Sequence, residues 1–398
     1  MDAILLEADW NPKANYRVMP HEITSKKATM ASMVWQNPRF SSVTLDDPTP
    51  GYGEVVVAPL ACGVCGSDTH CVETDNDGYI LFSGPVKLPV VPGHEYAGEV
   101  VAVGPGVKTL RIGDLVAAEG MLYCGVCEAC RTGHQNQCPN LEMVGFSSPG
   151  AYADYIVVKE QFCWSLNGLA EKLGSKQAAL ELGALVEPIS CSFNGLFVAA
   201  GGMRPGDHVV VYGCGPIGLG AIALARAAGA ATVTAFDISE ERLTVALACG
   251  ADTVWNSSTL HANGSSPSQI VLEVTRGAGA EIHIECAGAA LHTMPEIERS
   301  FAPGGKMIYL GRTGEHAPVL LDVLVTQAAM ITGSRGHAGM GCFPQIIRLL
   351  EAERLLVKPM ITSRMPFTDV LGALNKSCSR TDGKIMLVRG LTQSTTEG

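Results

Sequence analysis

Three short segments of the sequence carry side chains that could hold a metal ion and still leave it open to a substrate. These segments are Cys62-Gly-Val-Cys65-Gly-Ser67-Asp68-Thr-His70, Gly93-His94-Glu95 and Val186-Glu187-Pro188. Together they supply one thiolate, one imidazole and two carboxylates, with Cys62 and Cys71 interpreted as packing residues. Three or four mixed protein ligands that leave one position for water or substrate are typical of catalytic zinc. The segments therefore predict a catalytic zinc site.

The chemistry that such a site supports is removal of a hydride from an alcohol. Zinc lowers the pKa of a bound hydroxyl by several units, for water from about 15.7 to about 7, and the resulting alkoxide is the better hydride donor. The released proton needs a route out, and Ser67 and His70 are suited to relay it. Asp68 could hold the other ring nitrogen of His94. Simpler interpretations stay open for single residues: a packed core histidine, a helix cap at Glu187, a plain loop residue at His70.

A separate cluster of four cysteines predicts a second metal site. Cys124, Cys127, Cys130 and Cys138 are spaced C-x2-C-x2-C-x7-C, and glycines within the segment allow the backbone to fold around an ion. Four thiolates form a closed tetrahedral site, which is the arrangement that structural zinc prefers. Such a site has no open position and should do no chemistry. An iron–sulfur cluster and simple core thiols are the alternatives.

A glycine-rich turn between a strand and a helix predicts a dinucleotide site. The segment is His208-Val-Val-Val-Tyr-Gly213-Cys-Gly215-Pro216-Ile217-Gly218, which has the pattern G-x-G-x-x-G. In this pattern Gly213 makes the sharp turn, Gly215 lets the backbone approach a pyrophosphate, and Gly218 allows the helix to pack closely on its strand. The helix N-terminus then offers N–H groups to the phosphates.

An acidic residue follows that turn at the expected distance. Asp237 ends the next predicted strand, 19 residues after Gly218. A carboxylate there accepts hydrogen bonds from ribose hydroxyls and repels a 2′-phosphate, which favours NAD over NADP. Arg242 moderates this preference because an arginine can accommodate the phosphate. The alternative is a structural glycine turn, with Asp237 as a helix N-cap.

The order of predicted elements gives a two-domain α/β protein. In the first part, short β-branched runs are punctuated by Gly and Pro, and residues 11–36 predict an extended loop or insertion. From about Arg204, strand-like runs alternate with Ala-rich helical runs, which is typical of a doubly wound parallel sheet. The predicted strands are Ala3–Leu6, Glu54–Val57, Tyr96–Val103 and Leu115–Ala118, then His208–Tyr212, Thr232–Phe236, Glu281–Glu285, Lys306–Leu310 and Met330–Gly333. An amphipathic helix at Phe343–Arg354 is predicted to return to the first domain.

Composition narrows the classes of partner. The 398 residues carry a formal net charge of −11 without a Lys/Arg-rich run, so nucleic acid and anionic membranes are not expected partners. The N-terminus has no basic start followed by an apolar stretch, and the most apolar segment is interrupted by Arg226 and Gly229, so neither an export signal nor a membrane span is expected. The fourteen cysteines then indicate metal ligands in a reducing cytoplasm rather than disulfides.

With these motifs in hand, the chain resembles the zinc-dependent medium-chain dehydrogenase family over nearly its whole length. The segments that carry the resemblance are Gly63-Val-Cys65-Gly-Ser-Asp68, Gly93-His-Glu95, the four-cysteine lobe, Glu187-Pro188 and Gly213-x-Gly-Pro-x-Gly218. The resemblance implies a GroES-like β catalytic domain at 1–190 with the structural zinc lobe at 120–140, a Rossmann NAD-binding domain at 191–336, and a C-terminal return to the catalytic domain at 337–398. It also implies one catalytic and one structural zinc ion per chain, and a homotetramer or dimer.

The resemblance also assigns the ligands and narrows the substrate. In members of the sorbitol and threonine type, residues matching Cys65, His94 and Glu95 bind the catalytic zinc, and Glu187 matches a fourth ligand or a water-mediated contact. Asp77–Leu81, Gly333–Gly339 and the N-terminal insertion resemble a subgroup of cyclitol dehydrogenases that act on scyllo-inosose. Arg335 departs from that subgroup and suggests a phosphate or amine-bearing substrate as a variant. The expected substrate is an inositol-like or inosose-like compound; an acyclic polyol or amino alcohol is the alternative.

Overall fold

The computed structural model describes residues 1–312, 314, 316–337 and 339–391 of the chain. These residues form two compact units, one of Met1–Glu187, Ser363–Arg380 and the chain from Lys384 on, the other of Pro188–Thr362 and Thr381–Gly383. Ala338 of the predicted Gly333–Gly339 segment and residues 392–398 of the predicted C-terminal return lie outside the described residues.

Strands and helices are numbered in chain order. The strands are β1 (Asp2–Trp10), β2 (Lys27–Ala28), β3 (Trp35–Thr44), β4 (Glu54–Gly63), β5 (Val86–Lys87), β6 (Glu95–Val103), β7 (Leu115–Ala118), β8 (Met121–Leu122), β9 (Glu142–Met143), β10 (Ile156–Lys159), β11 (Cys163–Ser165), β12 (His208–Tyr212), β13 (Thr232–Asp237), β14 (Thr253–Asn256), β15 (Ala280–Glu285), β16 (Phe301–Tyr309), β17 (Met330–Gly333), β18 (Ile361–Pro366) and β19 (Lys384–Val388). The helices are α1 (Pro20–Ser25), α2 (Gly66–Val72), α3 (Glu128–Arg131), α4 (Asn167–Leu173), α5 (Lys176–Ala184), α6 (Val186–Phe193), α7 (Pro216–Ala227), α8 (Glu240–Ala248), α9 (Ser257–Ala262), α10 (Pro267–Val274), α11 (Ala290–Glu298), α12 (Leu321–Thr326), α13 (Cys342–Glu351) and α14 (Val370–Ser377).

The first unit is built on a seven-stranded sheet in the order β11-β7-β6-β4-β19-β18, with β10 also paired to β4. Alternate valines of β4, among them Val55 and Val57, are fully buried in its core. Gly63, at the end of β4, lies opposite both Glu95 of β6 and Met386 of β19. The end of β4, the start of β6 and the start of β19 therefore meet at one place in the sheet.

The N-terminal insertion is more ordered than the extended loop that the sequence predicts. Residues 11–36 include α1 and β2, and β2 pairs with β5 in a small antiparallel ribbon. The insertion contributes Ala28, Ala31, Val34 and Trp35 to a second apolar core that also includes Ile80 and Phe82. Of the two predicted alternatives, an extended loop or an insertion, the loop was wrong. The apolar partners of this segment are distant in sequence, so the pattern of apolar residues within 11–36 does not reveal them.

The second unit contains a six-stranded sheet in the order β14-β13-β12-β15-β16-β17, and every pairing is parallel. Its central strands are buried on both faces, as the apolar run Val209–Val211 predicts. This arrangement confirms the predicted doubly wound fold. The strand order reverses between β12 and β15, and ligands of such sheets bind beyond the carboxyl ends of the strands at that point.

The predicted amphipathic helix near the C-terminus forms, but it belongs to the second unit. It is α13, and its apolar stripe of Phe343, Ile346 and Leu350 is buried. Just after it, Leu356 lies beside Gly250, at the end of α8, where a Cβ on the glycine would be 3.7 Å from a Leu356 methyl. The return at 337 was therefore placed too early, and the chain re-enters the first unit at Ser363. Amphipathicity showed that a face is buried but not which unit buries it.

Among the described residues, no single helix combines the length and the apolar composition of a membrane span. One bent pair, Lys176–Ala184 with Val186–Ala199, reaches those two criteria only when its halves are counted together.

One buried histidine of the second sheet makes this unit sensitive to acid. His283 of β15 lies between Tyr212 and Phe301, and its Nε2 lies 3.2 Å from the carbonyl oxygen of Ser300. Burial lowers the pKa of His283 from 6.5 to about 4. The unfolded chain therefore takes up a proton near pH 6.5 while the folded chain does not, so stability is full above that pH and falls on acidification.

We expect the His283 contribution to fall by about 2 kcal/mol between pH 7 and pH 5. Urea unfolding of the wild type and of His283→Gln at both pH values measures it, because the glutamine variant lacks this part of the pH dependence. Equal pH dependence in the two proteins would contradict the expectation.

Candidate active site

The three predicted zinc ligands of the first unit come together in the structure. Cys65 is the N-cap of α2, two residues after β4, and His94 and Glu95 stand at the start of β6. One donor atom from each lies within 4.8 Å of the other two. Tetrahedral zinc requires separations of roughly 3.3–3.8 Å for bonds of about 2.0–2.3 Å, so small side-chain rotations would complete the site. The thiolate, imidazole and carboxylate set fits zinc.

Each ring nitrogen of His94 has a polar neighbour at 3.5 Å, and the one at Nδ1 is an ion-pair contact rather than a hydrogen bond. Its Nδ1 lies 3.5 Å from Oδ1 of Asp68, and its Nε2 lies 3.5 Å from the Ser67 hydroxyl. Asp68 accepts hydrogen bonds from the hydroxyl of Tyr152 at 3.0 Å and from the backbone N–H of Cys65 at 3.1 Å. Burial by itself would lower the pKa of His94, but the charges of Asp68 and Cys65 raise it well above its usual value. Because Nδ1 lies beside Asp68, Nε2 is the candidate donor to a metal ion, with Ser67 beside it.

Glu95 has a partner that the sequence did not predict. Lys384, at the start of β19, is fully buried and donates to both carboxylate oxygens of Glu95, at 2.7 Å to Oε1, and to the carbonyl oxygen of Val64 at 2.9 Å. Burial by itself would lower the pKa of Lys384, but Glu95 and Cys65 raise it, so the ammonium stays charged. A carboxylate offers about four lone pairs, so Glu95 can accept from Lys384 and still bind a metal ion.

The other two predicted site residues of this unit are Glu187 and His70, which stand outside the group of three donors. Glu187 is buried in the first turn of α6, and a Cβ built on Gly120 would be 3.7 Å from both Oε1 of Glu187 and Cβ of His94. It is not one of the three residues whose donor atoms lie within 4.8 Å of one another. His70 is one turn beyond Ser67 on α2, and its backbone carbonyl accepts the N–H groups of Leu81 and Phe82.

The four-cysteine lobe has the dimensions of a tetrahedral metal site. Cys138 Sγ lies 3.6 Å from Cys124 Sγ and 3.8 Å from Cys127 Sγ, which is too far for a disulfide. Zinc–sulfur bonds of about 2.3 Å in a tetrahedron place sulfurs about 3.8 Å apart. The backbone N–H groups of Val126 and Cys127 lower the pKa of Cys124 to about 6, which favours a thiolate. All four cysteines, Cys130 included, have donor atoms within 4.8 Å of one another.

The glycine turn of the second unit has the form that its motif predicts. Gly213 has a φ of 92°, and a Cβ there would lie 2.7 Å from the backbone nitrogen of Ala287. A Cβ on Gly218 would lie 1.8 Å from the Gly213 carbonyl oxygen, so α7 packs against the turn only because no side chain intervenes. At Gly215, by contrast, a Cβ would meet only a guanidinium nitrogen of Arg242 at 4.0 Å. The open side of the turn, at the N-terminus of α7 where Pro216 and Ile217 begin the helix, could hold a pyrophosphate.

Asp237 is tied to this turn. Its carboxylate accepts the N–H of Cys214 at 2.6 Å, that of Ile238 at 2.7 Å and that of Ser239 at 2.9 Å. The N-cap of α8 is Ser239 rather than Asp237, so the helix-cap alternative is wrong. Arg242, on α8, donates through Nε to the carbonyl oxygen of Asp382.

Two family models match the chain. The model described as "Alcohol dehydrogenase GroES-like domain" matches residues 51–168, and the model described as "Zinc-binding dehydrogenase" matches residues 216–352. The first range includes Cys65, His94, Glu95 and the cysteine lobe, and the second begins at the helix that follows the glycine turn.

Curated relatives match most of the chain. The scyllo-inosose 3-dehydrogenase of Thermotoga maritima is 37% identical over 361 residues, which are 88% of this chain and 90% of the relative. The L-threonine 3-dehydrogenase of Symbiobacterium thermophilum is 33% identical over 352 residues, which are 86% of this chain and 93% of the relative.

Solved structures agree with both units of the fold. A candidate alcohol dehydrogenase from Thermotoga maritima has a TM-score of 0.91 and 33% identity, and the match covers 98% of this chain and 100% of that chain. An Escherichia coli alcohol dehydrogenase solved with NADH has a TM-score of 0.77 and 25% identity, over 98% and 99% of the chains. A candidate zinc-binding dehydrogenase from Sinorhizobium meliloti bound to NADP has a TM-score of 0.76 and 25% identity, over 91% and 98%.

Proposed function

Because the chain belongs to the zinc-dependent medium-chain dehydrogenase family, we propose that this oxidoreductase transfers a hydride between a secondary alcohol of a cyclitol or polyol and NAD. The observation that carries the proposal is the convergence of Cys65, His94 and Glu95, from two segments of the chain, on one position suited to zinc. Bound there, zinc would supply the Lewis acidity that lowers the pKa of an alcohol hydroxyl.

The residues around the donors have separate roles in this proposal. Asp68, itself held by Tyr152, orients the imidazole of His94. Ser67 lies beside Nε2 of His94 and is the nearest candidate to accept the alcohol proton, which His70 would pass on to solvent. Glu187 is the candidate fourth ligand or water-mediated contact. The cysteine lobe would hold a second, structural zinc ion that has no open position.

The cyclitol part of the proposal is supported by the match to the scyllo-inosose 3-dehydrogenase, whose identity of 37% exceeds the 33% of the threonine dehydrogenase. The experiment that tests it is NADH production on matched concentrations of inositols, inososes, sorbitol and threonine. We expect the highest kcat/KM on a ring compound. Turnover of threonine or sorbitol alone would establish the amino-alcohol or acyclic-polyol alternative instead.

The choice of NAD over NADP is supported by the position of Asp237 beside the glycine turn. A substitution at Asp237 should therefore shift the preference towards NADP. We expect Asp237→Asn to raise the ratio of NADP to NAD turnover at least about tenfold, equivalent to about 1.4 kcal/mol, because the charge that repels a 2′-phosphate is lost while an acceptor oxygen remains. Asp252→Asn is the control, since Asp252 pairs with Arg226 and directly precedes β14. An unchanged ratio in Asp237→Asn would contradict the assignment.

The proposed homo-oligomer is supported by an apolar face of the second unit. Within the described residues, β17 ends the parallel sheet, and its Met330 and Ile331 are exposed; in α12, which precedes β17 in the chain, Leu321 and Val325 expose 68% and 79% of their surface. An open strand edge with apolar neighbours is a surface that native proteins usually cover. Light scattering after gel filtration should give a dimer or tetramer for the wild type and a smaller species for Val325→Asp. A monomeric wild type would contradict the proposal.

The reducing cytoplasm is the compartment that we propose. The separated sulfurs of the lobe suit thiolates that bind metal rather than disulfides, and thiolates of this kind persist where the environment is reducing.

A further inference from the structure

A column of three rings joins the candidate zinc site to the core of the N-terminal insertion. The ring of Phe146 lies against that of His94, with centroids 5.1 Å apart at 48°. On the other side, Phe146 stacks on Phe82, with centroids 4.4 Å apart at 18°. Phe82 and Phe146 are both buried members of the apolar core to which the insertion contributes.

The segment that supplies Phe82 is bonded to Trp35 of the insertion at both of its ends and to α2 between them. Ile80 donates its N–H to the carbonyl oxygen of Trp35 at 3.2 Å, and Trp35 donates through Nε1 to the carbonyl oxygen of Val86 at 3.1 Å. Phe82 donates its N–H to the carbonyl oxygen of His70 at 3.0 Å. The backbone of segment 80–86 is thus anchored on two sides, which fixes the position from which the Phe82 side chain extends.

The imidazole of His94 needs such a support because its polar contacts fix only part of its geometry. Asp68 and Ser67 lie 3.5 Å from its two nitrogens, and these contacts fix the line that joins the nitrogens. They restrict rotation of the ring plane about that line, its tilt, only weakly. A metal–nitrogen bond requires the ion to lie close to the ring plane, so the tilt decides whether Nε2 points at the position shared with Cys65 and Glu95. Close packing against a flat ring restricts tilt directly.

We propose that Phe146 and Phe82 are positioning residues of the catalytic centre, through which the insertion core sets the tilt of the His94 ring. The insertion then contributes to catalysis through the orientation of His94, in addition to its contribution to the stability of the first unit. The inference rests on the proposed role of His94 as a zinc ligand. It concerns residues that touch neither substrate nor metal, so their effect should appear in metal retention and in kcat more than in KM.

Phe82→Leu tests the inference, because among the ring contacts of the described residues Phe82 stacks on Phe146, and Phe146 in turn lies against His94. We expect the variant to lose its catalytic zinc to a chelator at roughly tenfold lower chelator concentration than the wild type, the range found when groups that orient metal ligands are removed. After replacement of that zinc by Co²⁺, the visible absorption bands should shift, and kcat should fall several-fold with little change in KM. Phe82→Tyr keeps the stacked ring and should retain wild-type behaviour in all three measurements.

Val34→Ala is the control for loss of stability alone. Val34 is fully buried in the same core and, as an aliphatic residue, is not part of the column of rings. It should lower the melting temperature as Phe82→Leu does and leave zinc retention and the Co²⁺ spectrum unchanged. Equal zinc loss in both variants, or unchanged retention in Phe82→Leu, would overturn the inference. If the Cys65→Ser variant keeps as much zinc as the wild type, the proposed function is overturned instead. The two failures are therefore distinguishable.

Discussion

Replacing Cys65 by serine is expected to remove one of the two proposed zinc ions per chain and to lower turnover roughly a thousand-fold. The thiolate is one of three donors that lie within 4.8 Å of one another, and its loss leaves His94 and Glu95 as the remaining members of that group. Zinc contributes several kcal/mol of charge stabilisation, and each 1.36 kcal/mol is worth about tenfold in rate. Metal analysis and steady-state kinetics measure these two effects. Titration with NADH should show unchanged affinity for NADH, because the glycine turn belongs to the second unit.

Two other cysteine variants make that result specific. Cys71 lies on the same helix, and burial raises the pKa of its thiol well above the usual value, as expected of a packing residue. Cys71→Ser should therefore keep both zinc ions and full turnover. Cys127→Ser should remove the other zinc ion and lower the melting temperature. The turnover number of the protein that remains folded should be normal. Full turnover and two zinc ions in Cys65→Ser would place the catalytic site elsewhere.

The candidate site was predictable from the sequence where its chemistry depends on residue types close together in the chain. Cys65, Ser67 and Asp68 share one turn of α2, and His94 and Glu95 are adjacent, so their spacing alone indicates a metal site. The glycine turn was predictable for the same reason, because each glycine answers a local steric demand of the strand–turn–helix unit.

What the sequence left out depends on contacts between distant segments. Lys384 is 289 residues from Glu95, and a lysine at the start of the apolar run Lys384–Val388 has nothing near it in the chain to suggest burial. Tyr152, which supports Asp68, is 84 residues away from it. The one signal in the sequence was the position of Lys384 directly before the apolar run Ile385–Val388, because a lysine that is buried with such a run must be paired.

Lys384→Met is expected to destabilise the first unit by about 3–5 kcal/mol, because it leaves the buried carboxylate of Glu95 without its counter-charge. Both side chains are almost completely excluded from solvent, at 0% and 1% exposure, so water cannot compensate. Thermal and urea unfolding of the metal-free protein measure the effect without the contribution of zinc binding. Lys176→Met is the matched control: Lys176 pairs with Glu99 at the surface, where the lysine is 51% exposed, and its loss should cost at most about 1 kcal/mol.

The double variant Glu95→Gln/Lys384→Met separates the ion pair from the role of Glu95 at the metal. Removing both charges should restore most of the stability lost in Lys384→Met, since replacing a buried pair is often neutral while breaking one is costly. Turnover should stay low in the double variant, because the carboxylate donor is gone. If Lys384→Met is as stable as the double variant, the two charges do not interact and the pairing is wrong. If turnover returns with stability, Glu95 acts only as the partner of Lys384, and the zinc is held by other residues.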